Sequence, residues 1–197
     1  MKLQVYTTIS VINFIIDMEV IKGDIEGLLI FKPKVFSDER GHFFESYSNK
    51  IFNHNDIGDI NFVQDNQAYS KPGVIRGLHF QNPPCGQGKL VRVVKGRVLD
   101  VAVDIRRGSP TYGKYQMVEL SGSNGLQFWI PEGFAHGYVS IEESIFQYKC
   151  TNFYAPGYDG IIKFDDPDIG IDWGVTNPIV SEKDVMGLSF KDFISKF

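Results

Sequence analysis

Two charged side chains interrupt what would otherwise be a buried strand. Val74 to Gln81 reads VIRGLHFQ, with Arg76 and His79 among Val, Ile, Leu and Phe. A guanidinium and an imidazole are costly to bury without partners. Either the two are solvated at a sheet edge, or they face a lined cavity where charge and proton transfer are used. Imidazole is the side chain suited to exchanging protons near neutrality, and the arginine fork suits phosphate or carboxylate. Strand alternation sends residues three apart to opposite faces, so one shared cavity requires a bend, and Gly77 between them permits it. A second histidine, His136, follows the turn Pro131-Glu132-Gly133, whose chemistry aims it; His42 and His54 are expected in unrelated loops. Cys85 and Cys150 lack CxxC spacing, and two cysteines are too few for a disulfide framework, so both are expected as free thiols in a reducing cytoplasm.

The elements that must carry these residues are mostly strands. Pro and Gly recur at short intervals, and the segments between them are rich in Val, Ile, Phe and Tyr, the pattern of many short strands joined by turns. In KLVRVVKGRVLDVAVDIR, Gly96 separates two strand-like runs. In the second, Leu99, Val101, Val103 and Ile105 share one face, and Val98, Asp100, Ala102 and Asp104 the other, where the two aspartates read as solvated. QMVELSGSNGLQFWIPEGFAHGYVSI reads as strand, Gly-rich turn, strand, Pro-Glu-Gly turn, strand; ESIFQYKCTNFYAP is a strand ended by Pro156. Helix signals are sparse: one short segment from Ser48 to Gly58, another from Ser181 through Phe193. The expected architecture is a mainly β, antiparallel sandwich or barrel with one or two peripheral helices.

Composition sets limits on partners. With 43% hydrophobic and 22% charged residues, the chain is of ordinary globular type, and 197 residues give one domain a substantial core. A net charge of −4 argues against nucleic acid or an anionic membrane held by bulk electrostatics, while leaving room for a local basic pocket that binds a small phosphorylated ligand. The apolar stretch VYTTISVINFII is interrupted by Thr, Ser and Asn and is too short to span a bilayer. No small-residue cleavage site follows it, and a clean strand pattern starts at Met18. Residues 1–17 are therefore expected to be an extension or start-site artefact before a single domain at 18–197.

GLQFWIPEGFAHG resembles the second signature of the cupin superfamily of small double-stranded β-helix (jelly-roll) barrels, except that Ser140 stands where that signature ends in Asn. The first cupin signature would supply metal ligands, two histidines one residue apart and then a Glu. Here His79 is followed by Phe80 and Gln81. Three protein ligands are the usual need, so no metal is expected.

FSDERGHFFESY, FVQDNQAYSKPGVIRGLHFQ, QGKLVRVVKGRVLDVAVDIRRGSPTYG, WIPEGFAHGY, YKCTNFYAP and SEKD resemble, in order from about Met18 to Asp184, the motifs of the dTDP-4-dehydrorhamnose 3,5-epimerase family. The resemblance implies a cofactor-free epimerase of dTDP-L-rhamnose biosynthesis, acting on a dTDP-linked 4-keto-6-deoxyhexose as a homodimer whose N-terminal strands pair across subunits. The ketone at C4 acidifies the protons on C3 and C5. A base removes one, an enolate forms, and a proton returns to the opposite face. By resemblance His79 is the base, Asp184 the carboxylate that orients it, Tyr148 the opposite acid, and Lys89 the cation at the enolate oxygen, with Asp100 a candidate to hold it. Arg40, Glu45, Gln64, Asn66, Arg76, His136 and Lys183 correspond to nucleotide and diphosphate contacts, and Tyr154 to an aromatic that stacks on thymine. Asp159 falls where the family carries Glu. Bland alternatives stand beside these: Ser181-x-x-Asp184 is also a capping box, Tyr148 a half-buried strand tyrosine, Lys89 a surface lysine and Arg40 a turn charge. Rival functions are an epimerase acting at only C3 or C5 or on another nucleotide sugar, a non-catalytic sugar-nucleotide-binding cupin and, more remotely, a metal-dependent oxygenase.

Overall fold

The computed structural model describes residues 18–52 and 60–197. Thirteen strands and two single-turn helices follow one another: β1 (Met18–Lys22), β2 (Leu29–Pro33), β3 (Phe36–Asp38), β4 (Gly41–Phe43), α1 (Asn49–Phe52), β5 (Gln64–Ser70), β6 (Ile75–Gln81), β7 (Lys89–Lys95), β8 (Arg97–Asp104), β9 (Tyr115–Ser121), β10 (Gln127–Ile130), β11 (Phe134–Ser140), β12 (Ser144–Cys150), β13 (Asp159–Ile161) and α2 (Glu182–Val185). A six-stranded sheet runs β1-β2-β10-β7-β12-β5, a five-stranded sheet β13-β6-β11-β8-β9, and β3 and β4 form a separate hairpin. Strand pairing in all three is antiparallel.

The two large sheets face each other, because one apolar cluster draws on both: Val91, Val93, Phe128 and Phe146 from the six-stranded sheet meet Val98, Ala102, Val118, Leu120 and Tyr138 from the five-stranded one. This is the jelly-roll barrel implied by the cupin-like turn. The outer face of the five-stranded sheet is covered as well, by Ile162, Ile169, Trp173 and Phe193 of the C-terminal segment packed on Ile75, Leu78, Val101, Val103 and Ile105. A third cluster, Phe31, Phe52, Leu90 and Trp129, covers the outside of the six-stranded sheet.

Burial on both sheet faces changes the reading of β8. Its two faces are as expected, but neither is wet: Asp100 and Asp104 are fully buried. The expectation of solvated aspartates is corrected because each has found partners, which a buried carboxylate requires. Asp104 accepts bonds from Arg106 Nε, Arg106 Nη2, Ser109 Oγ and Thr111 Oγ1 at 2.9, 2.7, 2.6 and 2.7 Å.

α1 covers Asn49–Phe52, and the rest of the expected helix to Gly58 lies outside the described residues, as do His54 and residues 1–17. α2 stops at Val185 instead of running to Phe193. Its continuation is taken by strand-like pairing: Leu188 N donates to Ile161 O and Lys163 N to Leu188 O, each at 2.9 Å. β12 ends at Cys150, well before Pro156, and His42 lies on β4 and not in a loop.

Candidate active site

The geometry of Arg76 and His79 is set by a bulge. On β11, Tyr138 is opposite Arg76 and His136 opposite His79, so Gly137 alone faces the two residues Gly77 and Leu78. The extra residue restores the face that alternation would lose: Ile75 and Leu78 go to the outer core, while Arg76 and His79 turn together to the inside. Only glycine fits at 77. Its φ is +134°, and a Cβ there would lie 2.5 Å from Gly137 Cα and 2.9 Å from His136 O.

Both side chains open into a cavity of about 460 Å³ between the ends of the two sheets. β5, β12 and β7 contribute Gln64, Asn66, Tyr148 and Lys89 from one sheet; β6 and β13 contribute Arg76, His79, Phe80, Gln81 and Asp159 from the other. Tyr154 follows β12, and Ser181, Lys183 and Asp184 come from the α2 turn. His79 and Tyr148 thus enter one space from facing sheets.

His79 Nε2–H donates to Asp184 Oδ1 at 2.5 Å, which leaves Nδ1 with its lone pair. The imidazole side chain is 42% exposed toward the cavity, whereas that of Asp184 is only 5% exposed. Burial alone would raise the Asp184 carboxyl, but the bond and charge of His79, Ser181 Oγ and the Gly77 N–H together hold it below the usual carboxylate range. Half of the capping alternative is realised: Ser181 Oγ accepts from Asp184 N at 3.2 Å, while the Asp184 carboxylate goes to His79 and not back to the helix start. The cap uses the backbone of Asp184, and the dyad uses its side chain.

Tyr148 is partly buried, and burial raises its phenol, with Cys150 and Tyr138 acting the same way and Arg76 against them. Lys89 is no surface lysine. It is 9% exposed, and its Nζ donates to the His79 carbonyl at 3.4 Å. Burial pushes its ammonium down, opposed by Cys150 and Asp100. Gln64 Nε2 donates to Asn66 Oδ1 at 3.0 Å and Gln64 Oε1 accepts from Tyr154 N at 3.1 Å. These bonds tie the aromatic to the cavity wall. Lys183 Nζ bonds Asp159 Oδ2 at 2.9 Å across the mouth. Arg76 Nε donates to Ser70 Oγ and Nη2 to Tyr69 O, each at 3.1 Å, which anchors the guanidinium at the cavity edge.

Three expected site residues stand apart from the cavity wall. His136 is buried behind it, its Nε2–H shared between Asp100 Oδ2 and Oδ1 at 2.9 and 3.1 Å. Arg40 pairs with Asp38 in the β3–β4 hairpin, and Glu45 follows β4; neither lines the cavity within one chain. Sequence reasoning passed over Gln81. It is buried and gathers the loop after β12: Nε2 donates to Cys85 O and Phe153 O at 2.7 and 3.1 Å, and Oε1 accepts from Ala155 N at 2.8 Å. The signal was available, since Gln81 is two residues after His79 on a strand. Among the described residues, no three His, Cys, Asp or Glu side chains converge as a metal site.

The sequence profile of the dTDP-4-dehydrorhamnose 3,5-epimerase family matches residues 22–192. The dTDP-4-dehydrorhamnose 3,5-epimerase of Shigella flexneri is 52% identical over 176 residues, 89% of this chain and 97% of the relative. The crystal structure of the same-named enzyme from Elizabethkingia anophelis superposes with a TM-score of 0.84 at 46% identity, covering 89% of this chain and 97% of that one. A dTDP-6-deoxy-D-glucose-3,5-epimerase from Legionella pneumophila, solved in complex with dTDP-4-keto-L-rhamnose, gives 0.87 at 44% identity, covering 90% and 95%. With residues of four of the ordered motifs meeting at one cavity, and the profile spanning most of its length, this chain belongs to the dTDP-4-dehydrorhamnose 3,5-epimerase family.

Proposed function

We propose that the protein inverts C3 and C5 of dTDP-4-dehydro-6-deoxy-D-glucose to give dTDP-4-dehydro-L-rhamnose, and that His79, Tyr148, Lys89 and Asp184 carry the reaction without a cofactor. The observation that carries this reading is the entry of His79 and Tyr148 into one cavity from opposite sheets. Epimerisation needs that arrangement, since a proton leaves one face of the ring and another arrives at the opposite face. His79 takes the proton at Nδ1, and Asp184 fixes the ring and stabilises the imidazolium that forms. Electrons move into the C4 carbonyl, and the Lys89 ammonium meets the oxygen that becomes negative. Burial keeps the Tyr148 phenol protonated through the neutral range, the state a donor needs before the enolate carbon takes its proton.

Substrate binding falls to the cavity rim. Arg76 and Lys183 offer charge to a diphosphate, and Gln64, Asn66 and the exposed Tyr154 offer hydrogen bonds and a stacking face to the base. Asp159 holds Lys183 in the free protein. Arg40 and Glu45 reach a site only if supplied by a second copy, which is the basis for proposing a homodimer joined through the N-terminal strands. The free cysteines suit a reducing compartment such as the cytoplasm, and among the described residues no helix is long and apolar enough to cross a membrane.

Incubation with dTDP-4-keto-6-deoxyglucose in D₂O tests the reading. Deuterium is expected at both C3 and C5 of the product. Incorporation at one carbon only assigns a single-centre epimerase, and none leaves a binding protein. His79→Ala is expected to abolish exchange at both carbons while dTDP still binds, and persistence of exchange at a near-normal rate would overturn the assignment of the base. Tyr148→Phe is expected to slow net epimerisation more than proton removal, by about 10²–10⁴; equal losses in both would count against a donor role.

A further inference from the structure

We propose that Gln81 is a positioning residue for the nucleotide base: its side-chain amide grips the two peptide groups that flank Tyr154, and so ties the loop carrying that ring to β6, the strand that carries His79. This deepens the reading of Tyr154 as the aromatic that stacks on the base and rests on it.

Tyr154 is displayed by a segment with little structure of its own. β12 ends at Cys150 and β13 starts at Asp159, so Phe153, Tyr154 and Ala155 take no part in a sheet ladder. Phe153 and Tyr154 are 63% and 54% exposed, so neither is fixed by burial. Freedom left in such a ring costs affinity when it is lost on binding.

Side-chain amides supply the order that packing does not. Gln81 Nε2 donates to Phe153 O at 3.1 Å, and Oε1 accepts from Ala155 N at 2.8 Å. The other Nε2 hydrogen goes to Cys85 O at 2.7 Å. One orientation of the amide satisfies all three bonds, since the two carbonyls need its NH₂ and the Ala155 N–H needs its oxygen. Between these anchors Tyr154 N donates to Gln64 Oε1 at 3.1 Å, and just upstream Gln87 Nε2 donates to Asn152 O at 2.7 Å.

Gln81 differs from the other two glutamines in burial and in place. It is only 4% exposed. It lines the cavity, yet both of its N–H donors are occupied within the protein, and none is left for a ligand. It is the last residue of β6, two positions after His79 and therefore on the same strand face. The ring that meets the base and the imidazole that meets the sugar are thus joined through one side chain and one strand.

A double-mutant cycle with Tyr154 tests this in the whole protein. Gln81→Met keeps the length of the side chain and removes the amide. Gln81→Glu keeps an acceptor for Ala155 N and removes both donors. In either variant the dissociation constant for dTDP is expected to rise about 5–100-fold, the range spanned by loss of one base–aromatic stack. Binding of inorganic pyrophosphate is expected to stay unchanged, and KM to rise by more than kcat falls. Tyr154→Ala is expected to weaken dTDP to a similar degree, and adding Gln81→Met to it to change the dissociation constant by less than about twofold. A fully additive pair overturns the proposal. So does Gln81→Met protein that binds dTDP like the wild type, or that loses pyrophosphate in step with dTDP, the mark of a collapsed cavity. Tyr154→Ala with undiminished dTDP binding removes the platform and the proposal with it. If neither Gln81 variant folds, hydrogen exchange in the wild type decides: the Ala155 amide is expected to exchange slowly with no ligand present, and exchange as fast as in an unprotected peptide shows that the clamp does not hold. Failure of the epimerase reading would show separately, as wild-type protein that incorporates no deuterium while dTDP binding still falls in Gln81→Met.

Discussion

At the scale of single residues, Asp184 shows how one residue serves two demands. Its backbone N–H is capped by Ser181, and its carboxylate orients His79. Asp184→Asn keeps the cap and the shape but removes the charge facing the imidazolium. Expected is a fall in kcat of about 10²–10⁴ with a modest loss of thermal stability at neutral pH, where the folded state favours the ionised carboxyl; an Asp184→Asn protein that fails to fold would make the carboxylate chiefly structural. Its pH behaviour follows from the sign of its shift. The folded carboxyl lies below the usual range, so its stabilising contribution is present above the unfolded value and is lost only as pH falls through the folded one.

At the scale of elements, the bulge in β6 is the device on which the site depends. Gly77→Ala places a methyl 2.5 Å from the Gly137 backbone at a φ of +134°. The chain must then open the β6–β11 pairing or lose the bulge, and losing it would turn either Arg76 or His79 away from the cavity. A cost of about 1–3 kcal/mol is expected from the conformation alone, or a lowering of melting temperature of about 2–4 °C for each kcal/mol, together with loss of activity beyond what the stability change explains. An active, equally stable Gly77→Ala protein would show that the bulge is dispensable. The need for a bend was legible in the spacing of Arg76 and His79; its form, two residues opposite one on β11, was not, because register belongs to the partner strand. The same limit shortened α2: Ser181 and the residues after it carry a sound start signal, but the stop comes from Ile161 and Lys163, far back in the sequence.

At the scale of the whole molecule, the barrel is covered on both sides, and that decides what its charges can do. Asp104 holds Arg106, Ser109 and Thr111 at the end of β8. Burial pushes its carboxyl up, but these bonds outweigh burial and bring it down to about 2, from an ordinary 3.8. The folded value being the lower one, its contribution is full above about pH 4 and fades as pH falls toward 2, amounting to about 2 kcal/mol. Asp104→Asn is expected to be less stable at pH 7 and to lose less on acidification to pH 2 than the wild type, as read by urea unfolding at each pH. Sedimentation is expected to give a dimer, and Arg40→Ala to raise KM more than it lowers kcat. A monomer with full activity would remove the case for a shared site.

The sequence by itself determined the strand pattern, the turns at Gly96 and Pro131-Glu132-Gly133, and the types of side chain available for proton transfer, because period, turn residues and chemical identity are local properties. Tertiary structure decided which of them meet. Asp184 reaches His79 across 105 positions, Asp100 became a buried carboxyl where alternation suggested a solvated one, and His136 turned from the cavity to the barrel interior. Those outcomes depend on what covers each face of a sheet and on which strand lies beside which, and a charge takes its role from the partners that packing brings to it.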